Sequence, residues 1–211
     1  MASSEYQLVG AAESLATCLL EMAAAETNPV LQVINPELPL QENKKYPANL
    51  LPFNQTGWKA YYHCHPAHRA GNHRFKGEHG HFHLFVQTHN KPETWSHLAA
   101  LAMDPMGQPL GWFTVNHWVT GEAWEPAENL ITFIKSIPYN KQTGLVERWL
   151  LSILALSHDK VKNILLERDE ILKQQQLKTK IEDVKQDRGI YLLSEISVDL
   201  MTLLNISQNN S

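Results

Sequence analysis

Apolar positions change their period twice along the chain. Leu8, Ala11, Ala12, Leu15, Cys18, Leu19 and Met22 recur at three- and four-residue spacing, with Glu13 and Glu21 off the stripe. That is one face of an amphipathic helix, so residues 1–27 are read as an N-terminal helix packed on the body. Pro29, Pro36, Pro39, Pro47 and Pro52 follow. Proline continues neither a helix nor a central strand, and residues 28–57 are expected to form an extended wrap or a set of turns.

From Trp58 the period falls to two. Trp58 to His65 is rich in aromatics, His81 to Thr88 alternates, and His97 to Met103 is apolar enough for a central strand. Asp104-Pro105-Met106-Gly107 suits a type I turn and should fold that strand back on Leu110 to Val115. Trp118 to Trp124 reads as the end of a strand. Helical spacing then returns in Pro126 to Ile137, in Gly144 to Ser157 through Leu145, Trp149, Ile153 and Leu156, and from Val161 into a mixed-charge stretch ending near Arg188. Such mixed charge marks a solvated helical face. Ile190 to Leu193 should add a short strand. The pattern predicts one α+β domain over residues 1–211, an antiparallel sheet of four to five strands packed with N- and C-terminal helices. Its parts are the helix (1–27), the proline-rich wrap (28–57), a histidine-rich β core (58–122), a helical part (126–188) and a closing segment (189–206).

Charge and cysteine content narrow the class of partner. A formal net charge of −4 gives no reason to expect nucleic acid or an anionic membrane. The first basic residue is Lys44, so the N-terminus lacks the positive region of an export signal. No run reaches the ~18 apolar residues of a membrane span. Cys18 and Cys64 make no disulfide framework, and alternation sends Cys64 to the apolar face as a buried thiol. A cytoplasmic protein is expected.

The chemistry lies in the histidines, ten of which, among eleven in the chain, fall between His63 and His117. On extended strands His79, His81 and His83 share a face opposite Phe82, Leu84 and Val86, while Tyr61, His63 and His65 share one opposite Tyr62 and Cys64. Two such strands side by side bring four imidazoles together, since facing residues lie ~4.5–5.5 Å apart at Cβ. Zinc, iron and copper all accept neutral imidazole. His63, His65, His81 and His83 are therefore the expected ligands of a divalent transition metal, with His79 and His97 as additional candidates. Glu78 and Glu122 are candidate general bases, and Arg69, Arg74 and Lys76 could hold an anion. Together these describe a metal-binding protein, read further as a metal-dependent enzyme acting on a small anionic substrate. A histidine-rich polar face on a non-catalytic interaction module is one alternative, and metal-free histidine chemistry on a nucleotide phosphate is another.

Several families share parts of this pattern. His79-Gly80-His81-Phe82-His83 resembles the His-x-His-x-His of histidine-triad nucleotide hydrolases and transferases, which implies metal-free attack of a histidine on a phosphate. Gly80 stands where that family has an apolar residue, and its glycine-rich phosphate loop is not evident. His63-Cys64-His65-Pro66 resembles the His-x-His-Pro of zinc isopeptidases, without the Ser-x-x-Asp that follows there. His63, His65, Glu78 and His97 resemble a cupin set at a different spacing. Over most of the chain, Trp58…Tyr61-Tyr62-His63-Cys64-His65-Pro66, Glu78-His79-Gly80-His81-Phe82-His83, Asn116-x-Trp118-Val119-Thr120-Gly121-Glu122 and Leu193-Ser194-Glu195 together resemble a bacterial family known only as a domain of unknown function. That resemblance implies a single domain and brings no activity. The stretch from His68 to Lys76 looks longer than the family's usual connection.

Overall fold

The computed structural model describes residues 2–34, 41, 44–64, 75–87, 93–135, 137 and 143–205. The region of two-residue period supplies the centre of the sheet. Strand β2 (Trp58–Cys64) pairs antiparallel with β3 (Gly80–Gln87), with Tyr61 opposite His83 and His63 opposite His81. β4 (Trp95–Met103) and β5 (Pro109–Val115) follow. Their turn is the one expected: Asp104 Oδ1 accepts from the backbone N–H of Met106 and of Gln108 at 2.8 Å. Gly107 takes a φ of 79° there, which costs a glycine nothing.

Two edge strands, β1 (Tyr46–Leu51) and β6 (Leu192–Ser197), complete a six-stranded antiparallel sheet in the order β1-β2-β3-β4-β5-β6. The expected four to five strands are thus corrected to six. The additional one is β1, inside the proline-rich wrap. An edge strand uses only one side of its ladder, so Pro47 can sit in it without breaking a pair.

The helices are α1 (Ala2–Ala24), α2 (His117–Thr120), α3 (Ala127–Ile134), α4 (Leu145–Leu156), α5 (His158–Gln176), α6 (Ile181–Gln186) and α7 (Leu200–Asn205). Leu15 and Cys18 of α1, Leu130 of α3, Trp149 of α4 and Leu165 of α5 bury against Tyr62, Cys64, Phe82, Leu84 and Trp112 on one sheet face. Burying each large side chain there contributes roughly 1.5–3 kcal/mol. The other face carries Ala100, Ala102, Phe113 and Val115, with Phe75, Tyr191 and Leu192 packed against them. Phe75 lies over Gly111, where a Cβ would collide with its ring. The histidines of β2 and β3 belong to this second face.

Where a strand end was expected at Trp118, the chain makes the short helix α2. Asn116 Oδ1 accepts from the N–H of His117 at 2.9 Å, and Gly121 closes the turn in the left-handed region with φ 67°; an asparagine cap and a glycine stop outweigh the apolar run between them. Asn116 Nδ2 also donates to Val184 O at 2.8 Å, and Trp118 Nε1 to Ile190 O at 2.8 Å. These two residues fasten the returning chain beside β5. Among the described residues no helix is long and apolar enough to cross a membrane.

Candidate metal centre

The register of β2 on β3 builds the site. His63 and His81 are direct cross-strand partners, and His83 lies one pleat repeat along the same face. Their rings form a triangle with centroid separations of 4.4 Å (His63–His81), 4.9 Å (His63–His83) and 4.8 Å (His81–His83). His81 and His83 are fully buried, and His63 is half-buried. One nitrogen from each ring lies within 4.8 Å of those from the others, so the three are close enough to hold a metal ion. Donor nitrogens on a tetrahedral ion sit ~3.4 Å apart, a spacing that small ring movements would reach.

The outward nitrogens of His81 and His83 have partners. His81 Nδ1 lies 2.9 Å from Glu78 Oε1, with both side chains buried. An ionised carboxylate only accepts hydrogen bonds, so opposite an ionised Glu78 the His81 proton sits on Nδ1 and Nε2 faces the triangle. The Glu78 carboxylate is held in turn by the N–H of Phe75 at 3.4 Å. His63 Nε2 and His81 Nε2 lie 2.7 Å apart. With His81 protonated on Nδ1, His63 is the donor in that bond. His83 Nδ1 lies 2.9 Å from His97 Nε2. Tyr61 (5.2 Å from His83) and Phe113 (5.0 Å from His81) wall the triangle with aromatic rings.

A family model with the description "Domain of unknown function (DUF6969)" matches residues 9–198. The chain belongs to that family. The matched span runs from within α1 to the end of β6, so the triangle and its partners are part of the DUF6969 unit. No curated protein and no solved structure matches the chain.

The other candidates of this DUF6969 protein fall in different places. His65, Arg69 and Arg74, and likewise His68 and His73, lie outside the described residues. Lys76 is exposed. His79 does not share the face of His81, contrary to strict alternation. It precedes β3 and stacks on Tyr62, whose hydroxyl lies 2.7 Å from His79 Nδ1. Gly80 permits this, because the Tyr62 phenol occupies the place of a side chain at that position. Glu122 pairs with Lys59 at 3.2 Å, both half-buried. It lines a small cavity together with His97, Trp124 and Arg168.

His97 enters from β4 as a neighbour of His83 rather than of the whole triangle. Burial pushes its pKa down to about 3, with the Arg168 charge adding to the effect, so the ring is neutral. Arg168 is itself buried; Asp169 holds its guanidinium at 2.8 Å, and its NH2 donates to Glu125 O at 2.8 Å. It also lies over the Trp124 ring at 4.4 Å. Arg168 did not stand out in the sequence, where an arginine in a mixed-charge helix reads as exposed. Burial pushes the Tyr61 and Tyr62 hydroxyls up from the usual phenol range, and nearby acidic groups, Glu122 and Glu78 respectively, add to it.

Proposed function

We propose that this DUF6969 protein binds one divalent transition metal ion through Nε2 of His63, His81 and His83, the His63 proton passing from Nε2 to Nδ1 as the ion replaces the bond to His81, and uses it on a small anionic substrate. The observation that carries the reading is the buried carboxylate of Glu78 on the outer nitrogen of His81. A carboxylate behind an imidazole is how metal-binding histidines are oriented and made more basic, and a solvated polar ladder has no need of one. When bound, the ion would supply a Lewis acid for a carbonyl or phosphoryl oxygen, or a water acidified towards neutrality. In this arrangement Glu78 orients His81, while Tyr61 and Phe113 keep water from the rings. Three neutral imidazoles leave the ion's charge uncompensated, with Glu78 offsetting part of it, which favours an anion as the remaining ligand. Lys76 and its sequence neighbours Arg69 and Arg74 are the basic groups that would meet it.

The test is elemental analysis of the full untagged chain after separate loading with zinc, iron and copper, beside a His81→Ala/His83→Ala variant. About one ion per wild-type chain and none in the variant supports the reading. Equal metal in both overturns it. A bound ion also raises the melting midpoint, by the equivalent of ~2.7 kcal/mol at a hundred times Kd.

One observation favours a second reading. Glu78, His81 and His63 form a continuous hydrogen-bonded chain at 2.9 and 2.7 Å, an arrangement that activates an imidazole without metal. That reading is histidine-based phosphate chemistry on a nucleotide. A nucleotide-dependent rise in midpoint with chelator present would support it, and no rise would dismiss it. Neither signal would leave the non-catalytic interaction module.

A further inference from the structure

Strand β4 does not run in regular register against β3. Leu84 pairs with Ala99, but the next residue, Phe85, pairs with His97, so Leu98 is skipped. The consequence is visible in the side chains. Ala100 and Ala102 point to the histidine face, and strict alternation would place Leu98 beside them, with His97 among the helices. Instead Leu98 and Ala99 both bury in the helix-side core. His97 is turned over to the other face, where its Nε2 lies 2.9 Å from His83 Nδ1 and its ring meets Phe85 edge-on at 5.2 Å. A bulge costs a ladder position and is a recognised way to re-aim one side chain beside a site.

We infer that this bulge exists to place His97 as the positioning residue for His83: His97 Nε2 accepts the Nδ1 proton of His83 and thereby commits His83 Nε2 to the metal. His97 is then the counterpart of Glu78. Each of the two buried ligands is oriented by its own partner, a carboxylate for His81 and an imidazole for His83. The neutral partner adds no charge, so the pair holds two ligands while offsetting only one unit of the ion's charge. This deepens the metal reading and rests on it.

The experiment compares wild type, His97→Phe, His97→Gln and His83→Ala for zinc affinity by competition with a chelating dye, and for the visible spectrum of the cobalt-substituted protein. Phenylalanine keeps a ring against Phe85 and removes the acceptor; glutamine restores an acceptor oxygen near the place of Nε2. Zinc affinity should fall about 10- to 100-fold in His97→Phe, the usual cost of losing such a partner. The cobalt bands should shift, and His97→Gln should recover most of both. Nitrogen-15 spectra of the zinc-loaded wild type need no variant and should show His83 protonated on Nδ1 with the metal on Nε2. Unchanged affinity in His97→Phe beside lost affinity in His83→Ala would overturn the role of His97 and leave the metal centre standing. A His83 bound through Nδ1, or glutamine no better than phenylalanine, would also overturn it. If His83→Ala binds zinc as wild type does, the metal reading fails and the inference with it.

Discussion

Replacing Gly80 by alanine probes the close approach on which the histidine register depends. A Cβ at residue 80 would lie 2.5 Å from the His63 carbonyl oxygen, 2.5 Å from the Tyr62 hydroxyl and 2.7 Å from Tyr62 Cζ. Gly80 is not among the glycines with positive φ, so the penalty is steric and not conformational. Neither neighbour yields cheaply. The His63 carbonyl is backbone of a central strand, and the Tyr62 ring is wholly buried, with Phe82 at 4.9 Å and His79 at 6.1 Å between centroids. Overpacking of this kind costs about 1–3 kcal/mol. At roughly 2–4 °C per kcal/mol for a chain of this size, the midpoint should fall by about 2–12 °C. Circular-dichroism melts of wild type and Gly80→Ala measure it. A Tyr62→Phe background removes one of the three colliding atoms and leaves the other two, so Gly80→Ala should cost less there; neighbours in contact couple in this way. If the alanine is instead relieved by β2 moving away from β3, His63 leaves His81 and zinc affinity falls together with stability. A Gly80→Ala protein that melts within ~1 °C of wild type would refute the packing argument.

Three further outcomes are expected. Glu78→Gln keeps an acceptor for His81 but loses the charge. With Oε1 2.9 Å from Nδ1, the carboxylate would sit ~7 Å from the ion across the ring, which bounds its attraction near ~5 kcal/mol at an effective dielectric of about 20. Partial compensation by solvent reduces this to an expected 10- to 100-fold loss of zinc affinity, and dye competition showing no loss would remove Glu78 from the site. Glu122→Gln breaks only the half-buried pair with Lys59, so stability should change by ~0.2–1 kcal/mol with zinc affinity unaltered; a tenfold change in affinity would bring Glu122 into the metal's reach. Tyr61 and Tyr62 have raised pKa values through burial. The folded chain therefore holds their protons more tightly than the unfolded chain, and the stability they contribute is complete below pH ~10 and lost as pH rises above it. Ultraviolet titration should show these two of the six tyrosines ionising only as the protein unfolds, and a smooth early titration of all six would contradict it.

Much of the site was legible in the chain because a strand imposes a fixed two-residue period. His81 and His83, separated by Phe82, must share a face, and His63 must lie opposite Cys64; the helices then follow from a three- to four-residue apolar rhythm that only one backbone geometry satisfies. These are local consequences, and they are why the α+β layout, the turn at Asp104 and the burial of Cys64 followed from residue order. The edge strand β1 was hidden because proline argues against strands in general and not against edge positions.

Tertiary structure decided what depends on register and on partners distant in sequence. His97 is followed by Leu98-Ala99-Ala100-Leu101-Ala102-Met103, a run without a polar residue to mark its phase, so nothing in it reveals that a skipped residue turns the histidine over. His79 left its expected face because Gly80 admits the ring of a tyrosine from another strand, a contact between segments that no spacing encodes. Arg168 became a buried charge only through Asp169, Glu125 and Trp124. The order of residues alone determined which imidazoles lie on a common side of a strand. Pairing between strands, which trades one ladder position for a hydrogen bond to His83, determined which of them converge and which nitrogen each can offer.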